Sequence, residues 1–329
     1  MQPSLIVIGG SAGALEPLKA ILHGLPTQLD AAIVCVLHLP AGQPSSLPAI
    51  LGRAGPLPTL QAANGAKLEA GHIYIAPPDF HTLIQDGELQ LARNPRENRH
   101  RPAIDPLFRT AARQYGSRAL GIILSGTLDD GAAGLWAIKQ AGGEAIVQSP
   151  EDASYPSMPQ AVIRWVQPEH VLPAQEIAAM MEAWSGQDNT EQSPTRKAQV
   201  STPAPAFPEN EGATPASGME LSPFACPDCH GVLWAAREEG PVQYRCRIGH
   251  AYTEQNLEMR LDENVEDALW AAVRVLQEHA SLSLRLANVS PSMAERYQER
   301  AQAYTQHAET IKRMLAESPQ SNFNAGEAS

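Results

Sequence analysis

Five short runs of almost uninterrupted apolar residues constrain this chain more than any other feature. They cover residues 5–8, 32–37, 73–76, 120–124 and 144–148, and are interleaved with helix-like stretches at 14–23, 106–115 and 132–140. A strand with one wet face alternates polar with apolar residues; a strand that is apolar throughout is covered on both faces. Such strands alternating with helices predict a doubly wound, mostly parallel α/β sheet over residues 1–184. Residues 83–84 and 89–91, with Asp86-Gly87 between them, add a hairpin.

The composition then changes. Residues 185–221 are rich in Ser, Thr, Pro, Ala, Asn and Gln, and large apolar side chains are scarce. Such a segment buries too little surface to offset its ordering entropy and reads as a linker. Three of the four cysteines follow in a compact segment at 222–252, then a helical hairpin at 253–318 and a disordered tail at 319–329. The hairpin is read from two apolar stripes. One is Leu257, Leu261, Val265, Leu269, Ala272 and Leu276; the other is Tyr297, Ala301, Tyr304, Ala308, Ile311 and Leu315, with Ser290-Pro291 as the turn.

A formal charge of −12 argues against nucleic-acid binding and against an anionic membrane surface. No stretch approaches the ~20 apolar residues of a membrane span. Met-Gln-Pro-Ser runs straight into the first apolar strand with no secretory pattern, and four cysteines make no disulfide framework. A cytoplasmic protein is expected.

The first strand ends in Gly9-Gly10-Ser11-Ala12-Gly13 before a helix. On an open parallel sheet this junction lies at the carboxyl ends of the strands, where ligands bind. The glycines read either as a phosphate cradle or as a turn presenting Ser11. The spacing is not G-x-G-x-x-G, and Asp30 precedes the second strand instead of following it, which disfavours a dinucleotide. Ser11 alone is more often a helix cap. The second strand, however, ends at His38, and the strand at 120–124 is followed by Asp129-Asp130-Gly131. Three strand ends then offer a nucleophile, a base and an orienting acid on one rim.

Several segments carry a family resemblance. They are Ile8-Gly9-Gly10-Ser11-Ala12-Gly13, Val36-Leu37-His38, Tyr74-Ile75-Ala76-Pro77-Pro78-Asp79-Phe80-His81, Asn98-Arg99-His100-Arg101-Pro102, Asp130-Gly131-Ala132-Ala133-Gly134 and Met158-Pro159. In order and spacing they resemble the motifs of CheB-type protein-glutamate methylesterases over residues 4–183. The resemblance implies Ser11 as nucleophile, His38 as general base and Asp130, not its neighbour Asp129, as the carboxylate that orients His38. It implies oxyanion donors at Ala12 and Thr127, and a substrate cleft lined by Arg99, His100 and Arg101, although a basic run such as 96–101 also reads as a solvated loop. The implied activity is demethylation of glutamate methyl esters on methyl-accepting chemoreceptors, with deamidation of receptor glutamines by the same attack. No cofactor is implied for catalysis. Partners would be the receptors, a cognate methyltransferase or another response-pathway protein. The chain departs from the family pattern at Ala12, where threonine is common, and at Thr127-Leu128, where Met-Gly is usual. No receiver domain precedes Leu5, so control by aspartyl phosphorylation in cis is not expected. The alternative function is a catalytically weak adaptor that docks partners.

Cys226, Cys229, Cys246 and His250 form C-x2-C-x16-C-x3-H. Three thiolates and one imidazole suit a closed, structural zinc site in a zinc-ribbon-like module; a redox C-x-x-C would leave Cys246 and His250 unexplained. Cys35, within the second strand, reads as a small buried residue. Similar modules, followed by a helix like that around Ala268-Leu269-Trp270, are appended to some stand-alone CheB-like proteins. The helical stripes read as core by default and as a homodimer or partner-docking face otherwise.

Overall fold

The computed structural model describes residues 3–39, 45–186, 219–236 and 240–317. Most of the linker and all of the tail named above lie outside them. Along the chain run β1 (Ser4–Gly10), α1 (Leu15–Gly24), β2 (Ala31–Leu37), α2 (Leu47–Leu51), β3 (Thr59–Gln61), β4 (Ala66–Lys67), β5 (Ile73–Ile75), β6 (His81–Gln85) and β7 (Glu88–Ala92). Then come α3 (Ile104–Tyr115), β8 (Ala119–Ile123), α4 (Ala132–Gln140), β9 (Glu144–Gln148), α5 (Ser157–Val166), β10 (His170–Leu172) and α6 (Ala174–Ser185). The last elements are β11 (Met219–Ala225), β12 (Val232–Ala236), β13 (Gln243–Cys246), β14 (Ala251–Thr253), α7 (Glu254–Val289) and α8 (Ala294–Ala316).

Seven strands form a parallel sheet in the order β10-β9-β8-β1-β2-β5-β3. β1 and β2 are buried almost throughout because both sheet faces are covered. Phe108, Leu107 and Leu135 from α3 and α4 fill one side, while Leu18, Ile21, Ile177 and Trp184 from α1 and α6 fill the other. The expected hairpin is β6–β7, which forms a small separate sheet with β4. Met158-Pro159 lies in the first turn of α5, one helix before the last of the domain.

The chain moves outward from β1 through β2 on one side and through β8 on the other, so the order reverses at β1. Register then fixes what meets there. Gly10 pairs with Leu37 and Gly9 with Ile123, so Ser11, His38 and the segment after β8 emerge at one edge. A topological switch point of this kind is where open α/β sheets bind ligands.

β11 to β14 form an antiparallel meander. Met1–Leu257 is one compact unit and Glu258–Ser329 a second. Within the first unit the meander is joined to loops of the parallel sheet. Buried Glu97 accepts a hydrogen bond from Arg109 Nη2 at 2.6 Å and longer ones from Arg245 at 3.3 and 3.4 Å. Asn98 N–H donates to Ala251 C=O at 2.8 Å.

In the second unit, the stripe along α8 keeps its face: Ala301 and Ala308 are buried, and Tyr297, Tyr304, Ile311 and Leu315 half-buried. Along α7, Leu257 is buried and Leu261, Leu269, Ala272 and Leu276 are half-buried, while Val265 is exposed; Val273, Ala280, Ser283 and Ala287 are further buried positions. Constant spacings of four advance about 40° around a helix at each step, whereas mixed spacings of three and four hold one face.

Burial by itself would raise the Glu97 carboxyl, but Arg109 and then Arg245 hold it down at about 2. Its ordinary value is 4.5, so its contribution to stability is complete above that pH and is lost as pH falls toward about 2. Glu97→Gln should cost roughly 3 kcal/mol at neutral pH, because it strands two buried guanidinium groups. It should also flatten the acid limb of the stability curve. Urea titrations at pH 7 and pH 3 check both expectations.

Candidate active site and metal cluster

Ser11 sits in the four-residue turn between β1 and α1. Its N–H donates to Ser125 C=O at 3.0 Å, and its own C=O accepts from Ala14 N–H. Ser125 anchors the turn from the other side, donating from Oγ to Ala12 C=O at 2.9 Å. Gly13 holds φ +71°, and a Cβ there would lie 2.8 Å from Ser125 Oγ, so only glycine closes the turn. Gly9 is needed for another reason: a Cβ would lie 2.4 Å from Ile104 Cγ2, pushing the start of α3 off the sheet.

That approach matters because Asp130 lies at the N-terminus of α3. Its Oδ2 accepts from Ile104 N–H at 2.7 Å and from His38 Nε2 at 2.8 Å. Its Oδ1 accepts from Asn98 Nδ2 at 2.8 Å and from Asp105 N–H at 3.3 Å. Burial pushes this carboxyl up, but the bond and charge of His38, with the donors from Ile104 and Asn98, hold it below the ordinary carboxylate range. The aspartate is an anion at a helix N-terminus.

His38 Nδ1 faces Ser11 Oγ at 3.0 Å. With Asp130 ionised, Nε2 carries the proton and Nδ1 is the bare nitrogen that accepts from the serine hydroxyl. The two ring nitrogens thus exchange the roles they take in the chymotrypsin-type triad. The His100 ring stacks on His38 with centroids 3.6 Å apart and planes 11° apart. Burial, then the neighbouring His38, pushes His100 down to about 3, so it stays neutral against the His38 ring.

The structure therefore brings together Ser11, His38 and Asp130, with His100 against them. Asp129 turns the other way: Thr253 Oγ1 donates to its Oδ1 at 2.5 Å and Asn256 Nδ2 at 2.7 Å. Neither the Ala12 nor the Thr127 N–H has a protein acceptor among the described residues. Gly126 backs onto Ser11; a Cβ there would lie 3.0 Å from Ser11 Cβ. Arg99 is half-buried at φ +70°. Arg101 is committed elsewhere, holding Asp79 Oδ1 from Nε and Nη2 at 3.1 and 2.7 Å and Asn94 C=O at 2.9 Å.

Sequence reasoning missed Asn98, Asp105, Thr253 and Asn256. Asn98 lay inside a run that reads as basic. Thr253 and Asn256 lay behind a metal motif that drew attention to its ligands.

Burial pushes the Cys35 thiol up to about 12, in keeping with a buried packing residue. The other cysteines cluster with His250 at the two turns of the meander, with donor atoms all within 4.8 Å of one another. Cys229 and Cys246 sulfurs are 3.6 Å apart, and His250 Nδ1 lies 3.7 and 3.5 Å from Cys226 and Cys246. A tetrahedron with metal–sulfur arms of about 2.3 Å has edges of about 3.7 Å, so the four donors fit a closed metal site. No helix among the described residues is long and apolar enough to cross a membrane.

Residues 6–181 match the CheB methylesterase family. The chain belongs to that family. It is 38% identical over 181 residues to a protein of Leptospira interrogans, covering 55% of this chain and 94% of the relative. It is 37% identical over 173 residues to protein-glutamate methylesterase/protein-glutamine glutaminase 2 of Anaeromyxobacter dehalogenans, covering 53% of this chain and 51% of that one. The Thermotoga maritima CheB methylesterase catalytic domain superposes with a TM-score of 0.54 at 33% identity, over 56% of this chain and 99% of that domain.

Purified protein should contain one equivalent of zinc by metal analysis. Cys229→Ser should lower that content and the unfolding temperature together; full zinc content in the variant would contradict the four-ligand assignment.

Proposed function

We propose that this chain is a cytoplasmic serine hydrolase that removes methyl groups from glutamate methyl esters of chemoreceptor-like signalling proteins. The observation that carries this reading is the Ser11–His38–Asp130 relay, with its two hydrogen bonds of 3.0 and 2.8 Å at the sheet's switch point. Family membership and the names of the relatives support it.

In the reaction, Ser11 Oγ attacks the ester carbonyl while its proton passes to His38 Nδ1. On this reading the Ala12 and Thr127 amides donate to the oxyanion as it forms. As the tetrahedral species collapses, His38 returns the proton to the leaving methoxide, releasing methanol and leaving Ser11 acylated. Water, deprotonated by the same nitrogen, cleaves the acyl-enzyme to glutamate. Asp130 stays ionised and stabilises the imidazolium. A glutamine side chain would follow the same path and release ammonia. His100 stacks on the His38 ring, and on this reading His100 and Arg99 line the substrate cleft.

The metal is zinc on this reading, held by Cys226, Cys229, Cys246 and His250 with no open position, and it supplies a structural cross-link. Val275, Leu282, Leu286 and Val289 are exposed along α7 at spacings of seven, four and three, which supports homodimerisation through the C-terminal helices. Docking of a cognate methyltransferase is the other use of these helices.

Methanol release from methylated chemoreceptor membranes tests the reading. Wild type should release methanol and Ser11→Ala should not. Asp130→Asn should lose roughly 10³-fold in rate. No release by folded wild type from several receptor sources would favour the adaptor alternative.

A further inference from the structure

We propose that the Cys3His module positions the catalytic aspartate, so that metal bound at its four ligands sets the activity of Ser11 through Thr253 and Asn256. This rests on the esterase reading above.

The loop after β8 carries Asp130 and is gripped from two sides. On the catalytic side, Gly131 N–H donates to Asp105 Oδ1 at 3.1 Å. On the module side, the hydrogen bonds to the Asp129 carboxylate among the described residues come from Thr253 and Asn256. Asn256 Nδ2 also donates to Thr253 Oγ1 at 3.0 Å, which orders the pair. Asn98 closes the circuit. Its Oδ1 accepts from Thr253 N–H at 2.9 Å, and its Nδ2 donates to both Asp130 and Asp105. The module therefore holds the residue before the catalytic aspartate and also the amide that donates to it.

The loop needs such a grip. Leu128 holds φ +62°, a left-handed conformation that a leucine keeps only when its surroundings fix it. The grip comes from Thr253 at the end of β14 and Asn256 in the first turn of α7, and Cys246 and His250 bracket the turn leading into β14. Cys246 N–H donates to His250 C=O at 3.0 Å across that turn. A metal bridging these two side chains fixes the turn, and with it Ala251 and Thr253.

Thr253 and Asn256 touch no reacting atom, so they are positioning residues. Their effect should fall on the chemical step, not on ligand affinity. The test is fluorophosphonate labelling of Ser11 in the full chain, resolved into a maximal rate and a half-saturating concentration. Thr253→Val, which keeps the shape and removes the hydroxyl, should lower the maximal rate at least about 10-fold with the half-saturating concentration unchanged. Thr253→Ser should restore it, and Asn256→Ala, as a second variant, should show the same loss as Thr253→Val. Removing zinc with a chelator should reproduce the loss and raise backbone hydrogen exchange over residues 127–132; adding zinc should reverse both. Wild-type labelling rates in the variants and in metal-free protein, or faster ones as expected of a module that covers the cleft, would overturn the coupling alone. Absence of labelling in folded, zinc-loaded wild type would overturn the esterase reading and this inference with it.

Discussion

The buried Asp130 carboxylate is the interaction on which the rest of this structure depends. An isolated buried anion is prohibitively costly, so its environment must supply donors. It does so from three directions: the first amides of α3, the Asn98 side chain and the His38 ring. Each donor places a demand on the fold. The α3 amides require that helix to start against β1, which Gly9 permits. The His38 ring requires β2 to run beside β1 in a register that ends the two strands together. Asn98 requires a loop whose own polar groups are paired, and that pairing comes from the meander.

The same dependence explains how two unlike modules come to share one compact unit. The α/β domain contributes Glu97, Asn98 and Asp129 to their junction; the meander contributes Arg245, Ala251 and Thr253, and the first turn of α7 contributes Asn256. These contacts are polar and buried, so each is costly if left half-made. Loosening the meander would therefore be felt at Asn98 and Asp129, each a direct neighbour of Asp130 in space or in sequence. His100 adds a further electrostatic condition: stacked on His38 and kept neutral by burial, it leaves room for the imidazolium to form.

Much of this was legible in the sequence, for physical reasons. Strands buried on both faces must be apolar throughout, so β1, β2, β8 and β9 announce themselves. Their ends carry Ser11, His38 and Asp130, and parallel pairing brings the ends together without any further information. The Cys-His spacing was legible because thiolates and imidazole at two tight turns have few other uses. β3 and β4, at three and two residues, are too short to show a period. Along α7 the first three spacings of four carry the stripe around the helix, so Val265 falls on the exposed side. Asn98 and Thr253 are 155 positions apart, and nothing local to either signals that one will cap the other.

The central claim is that Asp130 fixes the His38 ring with Nε2 protonated and Nδ1 bare toward Ser11. Nitrogen-15 NMR of protein labelled at histidine measures this directly, since protonated and bare ring nitrogens have distinct shifts and couplings. For the neutral ring, the account predicts a proton on His38 Nε2 and none on Nδ1, with that preference weakened in Asp130→Ala. A proton on Nδ1 in the wild-type protein, or a tautomer indifferent to Asp130→Ala, would contradict it.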